Sequence, residues 1–262
     1  MIRALYTAAS GMSAQQLNLD TIANNLANSS TTGFRQTRLQ FQDMIYQNLI
    51  TPGAAQSQST VSAGLQIGLG TKSAATEVIN TQGELNQTNN PLDVAIEGSG
   101  FFQVQRPDGT IAYTRSGQFH MNSQGTIVTS DGDPLIPTIT IPANATAVTI
   151  TQYGVVNATL AGQQNPSQLG QLQLATFPNP GGLETMGSSL MQATLSSGDA
   201  VLGNPGGTEG LGTLQQGYLE NSNVDVVTEF VQMVLAQRAY ESDSKVIKTA
   251  DDMYSQVNNM TH

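Results

Sequence analysis

The sequence predicts an α+β protein: paired coiled-coil-like helices at its two ends, a central all-β domain of antiparallel barrel or sandwich type, and an extended hairpin between. Three observations predict it. Apolar residues recur at heptad spacing at both ends, they alternate with a period of two through the long middle, and Gly and Pro are missing from 218 to 262. The expected organisation is a helical domain made of 1–34 with 215–262, a hairpin connector at 35–70 and a β domain at 71–214.

In the first helix, Ile2, Leu5, Ala9, Met12, Gln16, Leu19, Ala23 and Leu26 follow one another at three- and four-residue steps, with a polar interruption at Gln16. The helix should end near Asn28, where Asn, Ser and Thr residues favour turns and Gly33 permits a left-handed backbone. At the other end Val226, Met233, Ala236, Tyr240, Ile247, Ala250, Tyr254 and Val257 fall on one row, broken by Glu229 and Asp243. Ser222 stands three residues before Asp225, a capping-box spacing that marks the start of this helix. A pair of such helices has more apolar surface than one partner covers, so neighbouring copies are the expected source of the remaining contacts.

Between the helices, Leu39, Phe41 and Ile45 alternate with polar residues. Leu65, Ile67 and Leu69 do the same after a loop that opens with Pro52 and Gly53. Further on, Val94 and Ile96, Phe102 and Val104, Ile111 and Tyr113, Phe119 and Met121, and Leu172 and Leu174 read as inward-facing pairs. Turns at 107–109, 122–125 and 130–133 join them as hairpins.

Composition narrows the function. Only 11% of residues are charged, against roughly 25% in ordinary soluble domains, and the net charge is −10. No Lys or Arg lies between Arg115 and Arg238, so no cationic patch can neutralise phosphates, and nucleic acid is excluded as a partner. Low surface charge also weakens the repulsion between copies of one chain. Cysteine is absent, which rules out disulfides and thiolate metal sites. A cleaved secretory signal is not expected at the amino end, and no apolar run approaches the length of a membrane span, so no direct membrane insertion is expected.

Catalysis finds little support. The two histidines, His120 in an expected strand and His262 at the last position, are far apart in sequence, and no GxSxG elbow accompanies them. Gly98-Ser99-Gly100 resembles the start of a phosphate-binding turn, but it leads into a strand rather than a helix. Asp131 and Asp133 flank Gly132 without the bidentate Glu of a calcium loop, so a β-turn is expected. No catalytic, cofactor-binding or metal-binding residue is therefore predicted, and no cofactor.

Three segments carry a resemblance. Residues 23–28, AlaAsnAsnLeuAlaAsn, with ThrThrGlyPheArg at 31–35 form the first, and ProLeuAspValAlaIleGluGlySerGlyPhePheGlnVal at 91–104 the second. The third is GlnGlyTyrLeuGluAsnSerAsnValAsp at 216–225 with AlaGlnArgAlaTyrGlu at 236–241. Together they resemble the bacterial flagellar rod and hook proteins. Length, the ProGlyAla insertion at 52–54 and the LeuGlnIleGlyLeuGly run at 65–70 are most similar to distal-rod members of the family; a proximal-rod member, which shares all three segments, is the alternative. Ser29-Ser30 departs from the usual pattern of the family.

The resemblance implies a structural subunit exported by the flagellar type III machinery and polymerised helically into a hollow, rigid shaft, needed for motility, that crosses the periplasm. The implied partners are copies of itself, other rod proteins, a hook-side protein and ring proteins acting as a bushing. Leu5, Met12, Leu19, Leu26, Phe34, Phe41, Met233, Tyr240, Ile247 and Tyr254 would then bury in the wall of the polymer. Core packing inside one subunit is the competing reading. Asn24 and Asn25 could bridge backbone amides between subunits, and Arg238 could form an ion pair with Glu241, between subunits or within the helix.

Overall fold

The computed structural model describes residues 2–50, 55–56, 59–60, 64–163, 165–207 and 210–260. The side chains of Ile2 and Val257, and the loop residues 52–54, lie outside the described residues. Two helices, α1 (Ile2–Ala27) and α2 (Val226–Met260), flank a succession of short strands. The contacts divide the chain into two compact units, one made of Met1–Ala27, Thr37–Glu77 and Asp225–His262, the other of Asn28–Gln36 and Val78–Val224.

In the first unit α1 and α2 pack side by side. Helix α1 stops one residue before Asn28, and Gly33 takes the left-handed conformation at φ +69°. The start of α2 is capped by Asp225, not by Ser222. Asp225 accepts from the Val227 amide at 3.0 Å and the Thr228 hydroxyl at 2.6 Å, while the Ser222 hydroxyl accepts from Val224. These bonds hold the Asp225 carboxyl below its ordinary pKa, the Thr228 hydroxyl contributing most. No described helix is long and apolar enough to cross a membrane.

On α1 the face in contact differs from the apolar row, whereas on α2 the row's own Met233, Ala236, Ile247 and Ala250 face inward. On α1, Ala8, Ala14, Ile22 and Asn25 are buried, with Gly11, Gln15 and Asn18 partly so, whereas Ala9, Gln16 and Ala23 are exposed. On α2 the inward row is Glu229, Met233, Ala236, Asp243, Ile247 and Ala250. The two interruptions, Glu229 and Asp243, thus belong to the seam. Small residues explain this: a Cβ added to Gly11 would stand 2.6 Å from Asp243 Oδ2, so the glycine admits the carboxylate side chain. Leu5, Met12, Leu19 and Leu26 flank the contact, each partly buried.

The extended segment forms a two-stranded ribbon. Thr37–Asp43 pairs with Thr71–Val78, and Tyr46–Ile50 pairs antiparallel with Leu65–Gly68, setting Gln47 opposite Ile67. Arg38 bridges to Glu77 at 2.9 Å, and Gln40 donates to the same carboxylate at 2.7 Å, both on the Thr37–Asp43 strand. Tyr46 lies over Gly68, whose added Cβ would meet the ring at 3.4 Å, so the aromatic ring covers the backbone where no side chain does.

The second unit is antiparallel but does not close into a barrel. Its seven-stranded sheet runs Glu184–Gly187, Leu190–Gln192, Ile111–Thr114, Phe101–Gln105, Leu174–Thr176 and Val201–Gly203, with Leu135–Ile136 also on Phe101–Gln105. Its outer strands, Glu184–Gly187 and Val201–Gly203, do not pair with each other, so this sheet stays open. Successive residues of the central strand enter different cores. Phe102 and Val104 join Ile96, Phe119, Leu172 and Leu174, while Phe101 joins Tyr113, Phe177 and Met191 on the other face. Both faces are covered, which is why Phe101, Phe102, Gln103 and Val104 are all buried in succession. Phe102 meets Phe119 edge-on at 5.1 Å, and Tyr113 meets Phe177 at 4.8 Å.

The pairs Val94 and Ile96, Phe102 and Val104, and Leu172 and Leu174 are buried, whereas Ile111 and Met121 are exposed. Turns at 107–109 and 122–125 do join hairpins, Phe101–Gln105 to Ile111–Thr114 and His120–Met121 to Ile127–Val128.

Candidate assembly interface

Three arrangements concentrate polar order or apolar exposure. In the first unit Asn25, 2% exposed, ties the end of α1 to the strand that follows. Its Oδ1 accepts from the Thr37 amide and hydroxyl at 3.0 and 3.1 Å, and its Nδ2 donates to the Thr37 carbonyl at 2.8 Å and to Glu229 Oε2 at 3.4 Å. Two acceptor and two donor sites are all the amide has, so its capacity is filled within one chain. The adjacent Asn24 is exposed.

The second arrangement is a buried ion triad in the other unit. Arg35 reaches Glu220 Oε1 at 2.7 Å and Arg115 reaches Oε2 at 2.6 Å, with side-chain exposures of 4%, 3% and 0% for Arg35, Arg115 and Glu220. Glu220 Oε1 also accepts from the Gly83 amide at 2.9 Å, and Arg35 donates to the Thr81 carbonyl at 2.7 Å. Arg115 donates to the carbonyls of Ile96 at 3.0 Å, Gly98 at 2.6 Å and Gly100 at 2.5 Å. Burial lowers the pKa of Arg115 from its ordinary value, and the Glu220 carboxylate opposes that shift.

The Gly98-Ser99-Gly100 turn therefore wraps a guanidinium instead of a phosphate. Its glycines stand at φ +106° and +137°, which turns their carbonyls onto Arg115. Asn223 completes the junction, accepting from the Gln36 amide at 2.7 Å and donating to the carbonyls of Ile79 at 2.8 Å and Thr81 at 3.0 Å. The three recognised segments thus meet through Arg35, the 96–100 carbonyls and Glu220.

The third arrangement is apolar surface on the first unit. On α2, Val226, Val227, Phe230, Val231, Val234 and Leu235 are exposed, Val227 at 71% and Leu235 at 63%. At 100° per residue Val227, Phe230, Val231, Val234 and Leu235 lie on the side away from the row that faces α1, while Val226 flanks that row. The ribbon adds Phe41, Ile45, Tyr46, Leu49, Leu65 and Ile67, Ile45 being 84% exposed. Contiguous apolar patches of this kind on a surface mark interaction sites.

The expected interface residues are distributed over these surfaces. Phe41, Tyr240 and Tyr254 are exposed, Arg238 is exposed, and Phe34, Met233 and Ile247 are partly buried. Arg238 pairs with Glu241 of its own helix at 2.9 Å. Sequence reading gave no role to Arg35, Arg115, Glu220 or Asn223. Arg35, Glu220 and Asn223 stand inside the segments that carry the resemblance, but nothing in the sequence marks them as buried or brings Arg115 to them.

Comparison with known proteins identifies the family. Residues 5–35 match the family described as flagella basal body rod protein, 95–158 the flagellar hook protein FlgE/F/G D1 domain, and 215–260 the flagellar basal body rod FlgEFG protein C-terminal family. The chain is 47% identical over 261 residues to the flagellar basal-body rod protein FlgG of Buchnera aphidicola, covering 99% of this chain and all of that one. It is 49% identical over 254 residues to FlgG of Caulobacter vibrioides, covering 96% and 97% of the two chains. Its likeness to the rod protein FlgF of Mesorhizobium japonicum is lower, 29% over 245 residues, covering 93% and 91%. The chain belongs to the FlgG family of flagellar basal-body rod proteins, and it is a structural subunit of the distal rod, located in the flagellar basal body, not an enzyme.

Proposed function

We propose that copies of this chain associate through the outward face of α2 and the exposed faces of the ribbon into a helical polymer, a rigid hollow shaft. The observation that carries this reading is the apolar row Val227, Phe230, Val231, Val234 and Leu235, exposed on the side of α2 that faces away from α1. Removing such a row from water stabilises association by roughly 25 cal/mol per Å² of apolar area before the costs of binding. The unit containing α1, α2 and the ribbon is the polymerising part, with α1 and α2 forming a coiled-coil pair whose unfilled flanks accept neighbouring helices. Leu5, Met12, Leu19 and Leu26 on α1, with Met233, Tyr240, Ile247 and Tyr254 on α2, contribute to that packing. Phe41, Asn24 and Arg238 lie at its margins, while Asn25 orders the chain from within; Phe34, which belongs to the second unit, offers a further contact to a neighbouring copy.

Export through the flagellar type III machinery, and docking to other rod proteins, a hook-side protein and ring proteins, complete the reading. A chain without cysteine and with few charges suits passage as an unfolded thread.

The test is Val231→Asp combined with Leu235→Asp in the full chain, followed by sedimentation velocity and electron microscopy. The unaltered chain should form large assemblies. The double variant should remain a monomer with an unchanged circular dichroism spectrum, and polymers of normal yield from it would overturn the reading.

A further inference from the structure

A cleft of about 250 Å³ in the second unit is lined among others by Arg106, Pro107, Asp131, Asp133, Met186 and Ser188. It lies between the 106–110 turn, the 129–133 turn and the tip of the hairpin that joins Glu184–Gly187 to Leu190–Gln192. Asp133 is 5% exposed, yet among the described residues no hydrogen bond or ion pair falls to its carboxylate. Its backbone is fixed from both sides, the amide donating to Thr129 Oγ1 at 3.2 Å and the carbonyl accepting from the Thr129 amide at 2.9 Å. The unpartnered side-chain atoms that are sealed from solvent belong to Gln15, Arg35, Asn80 and Gln103, so the Asp133 oxygens keep their opening onto the cleft. A carboxylate in so enclosed a place gains little from hydration, and without donors its ionised form is costly to keep there.

The cleft wall itself does not supply those donors. The Arg106 guanidinium borders the same space, but it donates to Met186 Sδ at 3.8 Å and stands in no ion pair among the described residues. Asp131 adds a second, exposed carboxylate that likewise carries no hydrogen bond among the described residues. Two carboxylates against one guanidinium leave one negative charge in excess, which a monovalent cation balances and a divalent one overshoots. Calcium would also need about six to eight oxygen ligands. A primary ammonium brings three N–H donors on a flexible aliphatic stem, enough to serve both carboxylates. Pro107 and Met186 give that stem an apolar wall.

We propose that this cleft is a binding site for a primary alkylammonium group, its N–H donors meeting the carboxylates of Asp133 and Asp131 and its stem lying against Pro107 and Met186. The same chemistry is offered by a lysine of a neighbouring copy and by a free alkylamine. The chain has three lysines, Lys72, Lys245 and Lys248, all exposed and none in an ion pair among the described residues. The binding step does not rest on the polymer reading, because a single chain contains every group of the site.

The probes are N-acetyl-L-lysine methylamide, its uncharged analogue N-acetyl-L-norleucine methylamide, and calcium chloride, each titrated into the isotope-labelled full chain at a concentration where it is monomeric. In nuclear magnetic resonance spectra the lysine derivative should shift the Gly132 and Gly187 amide signals saturably. The norleucine derivative should bind at least about tenfold more weakly. Asp133→Asn should also weaken binding at least about tenfold, without lowering the thermal unfolding midpoint, because the carboxylate has no protein bond to lose. Met186 is 41% exposed, so Met186→Lys can set a tethered ammonium on the cleft wall and should block the probe. The proposal is overturned by absence of a saturable shift, equal binding of the lysine and norleucine derivatives, tighter binding of calcium, or undiminished binding by either variant. A lowered midpoint in Asp133→Asn would overturn it too, since the carboxylate would then already be served from within the chain. Sedimentation in saturating lysine derivative, at a concentration where the chain assembles, separates the sources. Suppressed assembly identifies a neighbouring copy's lysine as the occupant, whereas unchanged assembly with binding retained identifies a free amine.

Discussion

At the scale of single residues, stability depends on a few polar groups that cannot be exchanged. Glu220 is the plainest case, since its carboxylate separates two guanidiniums at 2.7 and 2.6 Å with its side chain fully enclosed. Removing one partner of a buried pair leaves uncompensated charge and typically costs about 3–5 kcal/mol. Glu220→Gln should therefore lower unfolding free energy by about that amount in urea titrations at neutral pH, and a loss below about 1 kcal/mol would show that the triad is dispensable. Gly117 offers a steric counterpart, because an added Cβ would overlap the Val94 carbonyl oxygen. Gly117→Ala should destabilise the second unit and shift its thermal midpoint downward by several degrees, roughly 2–4 °C per kcal/mol for a domain of about 150 residues. Neither residue announces itself in sequence. The partners of Glu220 lie 105 or more positions away, and the need for glycine at 117 arises from a strand that closes over it.

At the scale of elements, the helices were the most legible feature, and the contact face of α1 the least. Apolar periodicity found both helices, and turn chemistry found the end of α1. On α2 the expected row does turn Met233, Ala236, Ile247 and Ala250 inward, joined by its two interruptions Glu229 and Asp243, but on α1 the seam was misplaced, because Gly11, Ala14 and Asn18 fill it and a search for Leu and Met selects the flanking row instead. Asp225 gives the element-scale prediction. Its carboxyl is held below the usual value in the folded chain, so its contribution is fully present above the unfolded value of roughly 3.9 and is lost as pH falls through the lowered folded value. The thermal midpoint gap between the unaltered chain and Asp225→Ala should be constant from neutral pH down to about pH 5 and shrink below about pH 4. A gap that persists undiminished to pH 2 would contradict the charge component of the cap. Across the ribbon, the Glu77 carboxyl is lowered in the same direction, chiefly by its hydrogen bond from Arg38, then by Gln40.

At the scale of the whole molecule, the two hydrophobic clusters are built from residues between Leu92 and Leu214 and take nothing from the helices. Deleting 226–262 should accordingly leave a cooperative thermal transition and the β-rich circular dichroism signal, while large assemblies disappear from sedimentation profiles. Loss of the cooperative transition would mean that the β unit needs α2 to fold. The antiparallel β character of this unit was readable from alternation and turns. Its open form was not, since strand order depends on pairings such as Leu174 with Phe102 that no local pattern encodes.

The same remoteness has a kinetic side. Arg115 and Glu220 meet across 105 positions, and Gly33 donates to the Glu220 carbonyl across a longer span still. Contacts of such separation form slowly, on the order of milliseconds to seconds in β-rich domains. A chain that emerges amino end first cannot close its central charge lock until residue 220 has arrived, so no earlier length of it can settle into the finished arrangement. Stopped-flow refolding would read this as a phase that Glu220→Gln slows; an unchanged rate would place the lock after the rate-limiting step. Delay is thus written into where along the thread the three charges stand.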